Sequence, residues 1–209
     1  AQLDTLIRRA PERPESWLVR GALLADENKD AQAEADLRHY LKLLESAAPE
    51  AAPERSEGPD HARMMLARIA ERRGDYVAAE QLLAAVDSPE QALTVQTRRA
   101  QILARQGKLA EAREAIRRVP ERSADDARLK LLAEAQLLRD NQQAALAYQL
   151  LSAEIEKTPD DDGLLYDAAM AAERANQLGT MERLLRRVME LKPDAAHAYN
   201  ALGYSLADR

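Results

Sequence analysis

Three histidines, His39, His61 and His197, are the side chains best suited to titrate or ligate near neutral pH. None stands at metal-ligand spacing from a carboxylate, Cys is absent, and no HExxH run occurs. His39 is expected on a solvent-facing helix surface. His61 and His197 fall near the starts of predicted helices, where a surface or groove role suits them better than catalysis. The run Asp160-Asp161-Asp162 resembles a cation site, yet it follows Pro159 and precedes an apolar-periodic segment. That position suits a helix cap that complements the helix dipole, and the downstream Gly and Glu spacing does not fit a calcium loop. Ser is sparse, and neither GxSxG nor GxxxxGKS/T is present. These residues predict no catalytic residue, no metal site and no cofactor. The chain is expected not to be an enzyme.

The elements that hold these residues are helical. The 209 residues include 42 Ala and 31 Leu, with one Trp, no Phe, no Cys and seven Gly. Strong helix formers dominate, and the β-branched and aromatic residues that a β-sandwich needs are scarce. Without Cys there is no disulfide framework. The net charge of −6 disfavours nonspecific binding of nucleic acid. No apolar run reaches the roughly 17–20 residues needed to span a bilayer; Gln142 to Ala153 is the longest candidate and holds three Gln. The chain starts at Ala1 with no basic-then-apolar leader.

A pattern recurs along the chain. Leu165-x2-Ala168-Ala169-x2-Ala172 precedes Asn176, then Met181-x3-Leu185-x2-Val188 and Pro193. The same order appears as Leu66-Ala67-x2-Ala70, Gly74 and Ala79-x3-Leu83-x2-Val86. It appears again as Ala100-x2-Leu103, Gly107 and Ala112-x3-Ile116-x2-Val119. Two more copies are Leu131-x3-Ala135-x2-Leu138 with Asn141 and Ala147-x3-Leu151, and Trp17-x2-Arg20-Gly21-x2-Leu24 with Asn28 and Ala33-x3-Leu37-x2-Tyr40. Unit starts at Pro14, Asp60, Leu93, Arg128, Asp162 and Ala196 are separated by 46, 33, 35, 34 and 34 residues.

This pattern resembles the tetratricopeptide repeat (TPR) family, a helix-turn-helix of about 34 residues. The resemblance implies an all-α fold, a right-handed α-solenoid of tandem TPR helix pairs. Units run 14–59, 60–92, 93–127, 128–161 and 162–195, with the end of a preceding repeat at 1–13 and a further first helix at 196–209. Small residues let the two helices of a pair approach. Gly74, Gly107, Asn28, Asn141 and Asn176 are expected to close the first helices in the left-handed conformation. The first spacing places an insertion of 12 residues within Glu45 to Pro59, read as a longer second helix and a mobile connection. Val119-Pro120 and Asp87-Ser88-Pro89 are expected to shorten their second helices. Arg20, Arg99 and Glu134 occupy positions that are aliphatic in the family: either their stems pass the core or the register shifts by one there. The frame extends past both termini, so the chain reads as a piece of a longer array whose uncovered ends could associate with another copy.

In such an array the first helices line a concave groove. The resemblance implies a partner-binding set of His61, Met64, Met65, Arg68, Arg72, Arg98, Gln101, Arg105, Tyr166, Asp167, Met170, Arg174, Asn200 and Tyr204. Arg68, Arg72, Arg98 and Arg105 are expected to converge, and Leu93 to Arg122 carries eight basic residues against three acidic. Of a chaperone-tail clamp only Arg98 matches. The implied function is a noncatalytic scaffold or adaptor that holds a peptide or helix of another protein, with no nucleic acid. The alternative is the targeting arm of an enzyme, such as a glycosyltransferase, that is catalytic elsewhere. The Arg-rich style and the stretch from Leu191 to Arg209 resemble bacterial cell-envelope TPR proteins, among them lipoprotein adaptors of a periplasmic carboxy-terminal processing protease. The bacterial periplasm or outer membrane is therefore expected over the cytoplasm.

Overall fold

The computed structural model describes residues 2–46 and 57–207. Its described residues form α1 (Gln2–Arg9), α2 (Pro14–Asp26), α3 (Asp30–Ser46), α4 (Gly58–Arg72), α5 (Tyr76–Ala84), α6 (Ala92–Arg105), α7 (Leu109–Arg117), α8 (Ala124–Asp140), α9 (Ala144–Ile155), α10 (Asp162–Arg174), α11 (Leu178–Leu191) and α12 (Ala196–Ala207). One 3-10 turn, Pro89–Gln91, precedes α6. No helix is long and apolar enough to cross a membrane among the described residues. The chain divides into two compact units, Ala1–Ile102 and Leu103–Arg209.

Within each unit the core is built from threes. In the first unit, Ala25 of α2, Leu37 and Tyr40 of α3, and Leu66 and Ile69 of α4 form one apolar cluster. Ala67 and Ala70 of α4, Leu83 of α5, and Val95 and Ile102 of α6 form the next. In the second unit, Leu138 of α8, Leu151 of α9, and Leu164 and Ala168 of α10 share a cluster. Leu165 and Ala169 of α10, Leu185 of α11 and Leu202 of α12 share another. Each cluster is thus a first helix, its second helix and the next first helix. A first helix is buried on two flanks: α10 gives Leu164 and Ala168 to one cluster and Leu165 and Ala169 to the other. A second helix buries one stripe, as Met181, Leu185 and Val188 of α11 do at i, i+4 and i+7. The Ala residues at these contacts let backbones come close. Gly21 shows the limit: a Cβ there would lie 2.8 Å from Leu37 Cγ in the neighbouring α3.

The first helices end in one way. Asn28, Gly74, Gly107, Gln142 and Asn176 have φ of 58, 79, 78, 61 and 60°. In each case the following N–H reaches the carbonyl five residues back: Lys29 to Leu24, Asp75 to Ala70, Lys108 to Leu103, Gln143 to Leu138 and Gln177 to Ala172, at 2.8–2.9 Å. This is the Schellman closure, which satisfies carbonyls that the helix end would leave unpaired. Four of the five closing residues are those expected from residue type. The fifth corrects the sequence reading: Gln142, not Asn141, takes the left-handed conformation. Asn141 has φ of −106° and its side-chain Nδ2 donates to Leu137 O at 2.8 Å. The capping amide therefore serves the last turn from one residue earlier.

Second helices vary in length. The helices before Asp87-Ser88-Pro89 and Val119-Pro120, α5 and α7, have 9 residues each, whereas α3 has 17. Most of the predicted connection in Glu45 to Pro59 lies outside the described residues. The N-termini are capped where sequence chemistry allows. Asp75, Ser123 and Asp161 accept from the N–H of Ala78, Asp126 and Leu164.

Candidate partner-binding face

First helices such as α4 and α10 are buried on two flanks, so their third flank is the surface the fold leaves open. In the first unit it carries His61, Met64, Arg68 and Arg72 of α4, with Arg98 and Gln101 of α6. His61 and Arg72 are exposed, and Met64, Arg68, Arg98 and Gln101 are half-buried. Met65 is a correction: it is 8% exposed and packs with Leu37, Leu66 and Ile69. The Ala62, Met65, Leu66, Ile69 spacing turns it toward α2 and α3, away from a ligand.

The arginines of this face are not a free cationic surface. Arg68 pairs with Asp26 at 3.4 Å, Arg98 with Glu71 at 3.6 Å, and Arg72 with Asp30. Arg73 pairs with Glu34 alongside. Hydrogen bonds from Arg72 and Arg73 hold the Asp30 and Glu34 carboxyls below their ordinary range. The expected convergence of Arg68, Arg72 and Arg98 is thus met by acids of the preceding helices. Arg105 lies in the second unit, on an exposed position. The local basic excess is neutralised similarly: Arg99 pairs with Glu80 at 3.0 Å, and Arg113 and Arg117 with Glu134 at 2.8 and 2.6 Å.

Those last pairs explain the three departures from the family pattern. Arg20 donates to Asp36 at 2.6 and 2.8 Å, and Arg99 and Glu134 meet the partners just named. Glu134 and Asp36 are buried, 4 and 5% exposed. The register is intact: an aliphatic contact has been exchanged for an ion pair between helices. The partners carry no signal in the sequence, because Asp36, Glu80, Arg113 and Arg117 look like ordinary helix-surface charges. His39 does not take the expected solvent-facing position. It is half-buried, with its ring edge-on to Trp17 at 4.3 Å between centroids, while the Trp17 indole N–H donates to Pro11 O at 2.8 Å. Asp160, Asp161 and Asp162 pair with Arg187, Arg128 and Lys192, so the triple Asp run is tied to three cations.

In the second unit the open face is of another kind. Tyr166, Asp167 and Met170 of α10 are half-buried, and Arg174 is exposed. Tyr166 meets the exposed His197 of α12 edge-on at 4.6 Å. Asn200 and Tyr204 of α12 are exposed, Tyr204 by 75% and the neighbouring Tyr199 by 50%. This is an aromatic and thioether surface with one carboxylate, Asp167, whose nearest cation is Arg139 Nη1 at 4.0 Å. A separate cavity of about 590 Å³ opens where α7 ends, lined by Ile116, Arg128, Leu131 and Leu164 among others. Most of its charged side chains are spent in pairs: Arg128 with Asp161, Lys130 with Glu121 at 2.7 Å, and Lys157 with Glu154 at 2.8 Å.

Two-flank burial, a common left-handed closure and three-helix core clusters define a helix-pair repeat protein. A family model for the tetratricopeptide repeat matches residues 78–127. A TPR repeat-containing protein of Pseudomonas aeruginosa is 37% identical over 150 residues, covering 72% of this chain. The chain spans about a quarter (25%) of that relative's length. The C-terminal part of a TPR repeat-containing protein from Cytophaga hutchinsonii superposes with a TM-score of 0.63 at 15% identity, over 90% of this chain and 71% of that one. Nearly identical TPR-like repeats from Podosopora anserina superpose with a TM-score of 0.56 at 19% identity, over 87% of this chain and 96% of theirs. The chain belongs to the tetratricopeptide repeat family. TPR proteins generally mediate protein–protein interactions.

Proposed function

We propose that the chain is a noncatalytic scaffold holding an extended segment or a helix of a partner protein on the open face of its first helices. The observation that carries this is the row of apolar side chains standing out from that face. Tyr204 is 75% exposed, near a half-buried Tyr166 and Met170. Aromatic and Met side chains give large contact area to a peptide at low ordering cost. Tyr166 and Met170 sit on α10, whose other two flanks are fixed by packing, so that part of the surface is pre-organised. The likeness of the closing stretch to cell-envelope TPR proteins supports a periplasmic or outer-membrane setting. The apolar face of α12, with Leu206 47% exposed, supports end-to-end association.

The test is site-specific photo-crosslinking. A benzophenone amino acid replaces Tyr204 or Met170 on the open face, or Arg183 on the outer surface of α11, in cells that make the chain. The expected result is one partner band from the first two positions and none from Arg183. Crosslinking from Arg183 alone would overturn the reading. Light scattering at rising concentration reads the self-association.

A further inference from the structure

The strongest candidate is Asp167. Most other sheltered carboxylates are closely answered, Asp36 by Arg20 at 2.6 Å, Glu134 by Arg117 at 2.6 Å and Asp161 by Arg128, while Glu71 faces Arg98 at 3.6 Å. Asp167 has one cation at 4.0 Å, the outer limit of an ion pair. Arg139 is engaged elsewhere, donating through Nη2 to Gln136 Oε1, while Gln136 Nε2 donates to Asp140 at 2.7 Å. The Asp167 side chain is 31% exposed, sheltered enough to lose hydration and open enough to be reached. Its helix neighbours at i−1 and i+3 are Tyr166 and Met170, both partly exposed.

We propose that α10 holds a subsite for a basic side chain of the partner: Asp167 accepts from a Lys ammonium or Arg guanidinium while Tyr166 and Met170 cover its stem. The inference rests on the scaffold reading above and names what that face selects. Opposite charge in a half-dry setting gives a charge-assisted hydrogen bond. The Tyr ring face attracts the cation, and the thioether adapts to the methylene stem. An acidic side chain meets repulsion at the same place, which is specificity by exclusion.

Asp167 is also costly to the fold. Burial pushes its carboxyl above the usual range; Arg139 and Arg128 of α8 pull it down incompletely, and Asp161 pushes it up further. At neutral pH the ionised group therefore opposes folding. A charge that costs stability where a partner can reach it fits a binding group better than a structural one.

The experiment selects a display library of random twelve-residue peptides on the wild-type chain and on Asp167→Asn. Wild-type selections are expected to fix a Lys or Arg flanked by apolar residues. The best of them should bind Asp167→Asn at least tenfold more weakly, with Asp167→Glu recovering part of the loss. Asp167→Asn should melt at the wild-type temperature or above, so that unfolding does not explain the loss. Selected peptides without a basic residue, or held equally by Asp167→Asn, would overturn the subsite and leave the scaffold reading standing. A failure to select any peptide would count against both.

Discussion

A left-handed φ of about 60° costs a non-glycine residue roughly 1–2 kcal/mol, and Asn recovers part of that through its short polar side chain. Gln142, with φ of 61°, has no such recovery. Gln142→Gly removes the strain and adds unfolded-state entropy of about 0.4–1 kcal/mol. The first effect is the larger, so urea unfolding should show a gain of about 0.5–1 kcal/mol. At Gly21 the balance runs the other way. Alanine improves helix propensity by about 1 kcal/mol, but its Cβ would stand 2.8 Å from the fully buried Leu37. Overpacking costs about 1–3 kcal/mol, and Gly21→Ala should lower the urea midpoint. These positions also show what was legible by residue type. Asn28, Gly74, Gly107 and Asn176 announce left-handed turns because their chemistry favours them. Gln142 carries no such preference, and the adjacent Asn141 drew the assignment to itself. Like the other four closing residues, Gln142 stands two residues before the next helix.

At the scale of helices, the apolar stripes were readable because packing imposes a period, whereas ion pairs between helices were not. Periodicity marks which residue is inward but not which helix it meets. Glu134 of α8 is therefore an anomaly in sequence and a buried anion held by Arg113 and Arg117 of α7 in the fold. Its removal and the removal of its partners should differ in sign. The two Arg are 26 and 48% exposed and can return to water, so Glu134→Leu, restoring an aliphatic contact, should leave the melting temperature unchanged or raise it. Replacing both Arg113 and Arg117 by Ala strands the carboxylate, at a cost of about 3 kcal/mol. Calorimetry on the two variants reads the asymmetry; equal losses would mean that the pair contributes net stability. The same limit hid the neutralisation of Arg68, Arg72 and Arg98. Their clustering was legible, but the acids that answer them come from helices α2, α3 and α4.

Across the whole chain, pH acts through these interhelix pairs, and its sign can be worked out. Asp161 is held below the ordinary carboxylate range by Arg128 first, with help from the Leu164 N–H, against the cost of burial. Asp30 and Glu34 are lowered by Arg72 and Arg73. Groups of this kind bind fewer protons folded than unfolded. Their stabilisation is complete above the unfolded carboxylate range near pH 4 and is lost as pH falls through the lower, folded values. Asp167 has the opposite sign, because protonation relieves its burial. With Asp4, lowered by its hydrogen bond from Arg20, four groups stand against one, and the fold should weaken below about pH 4, each unit losing a bridge between consecutive helix pairs. Melting curves from pH 7 to 2.5 should fall steeply at the acid end. Asp161→Asn should flatten that fall by taking its own titration away, and Asp167→Asn should steepen it by removing the one group that gains from acid. If both variants followed the wild-type slope, the lowered and raised carboxylates would not be what sets the acid limit of the fold.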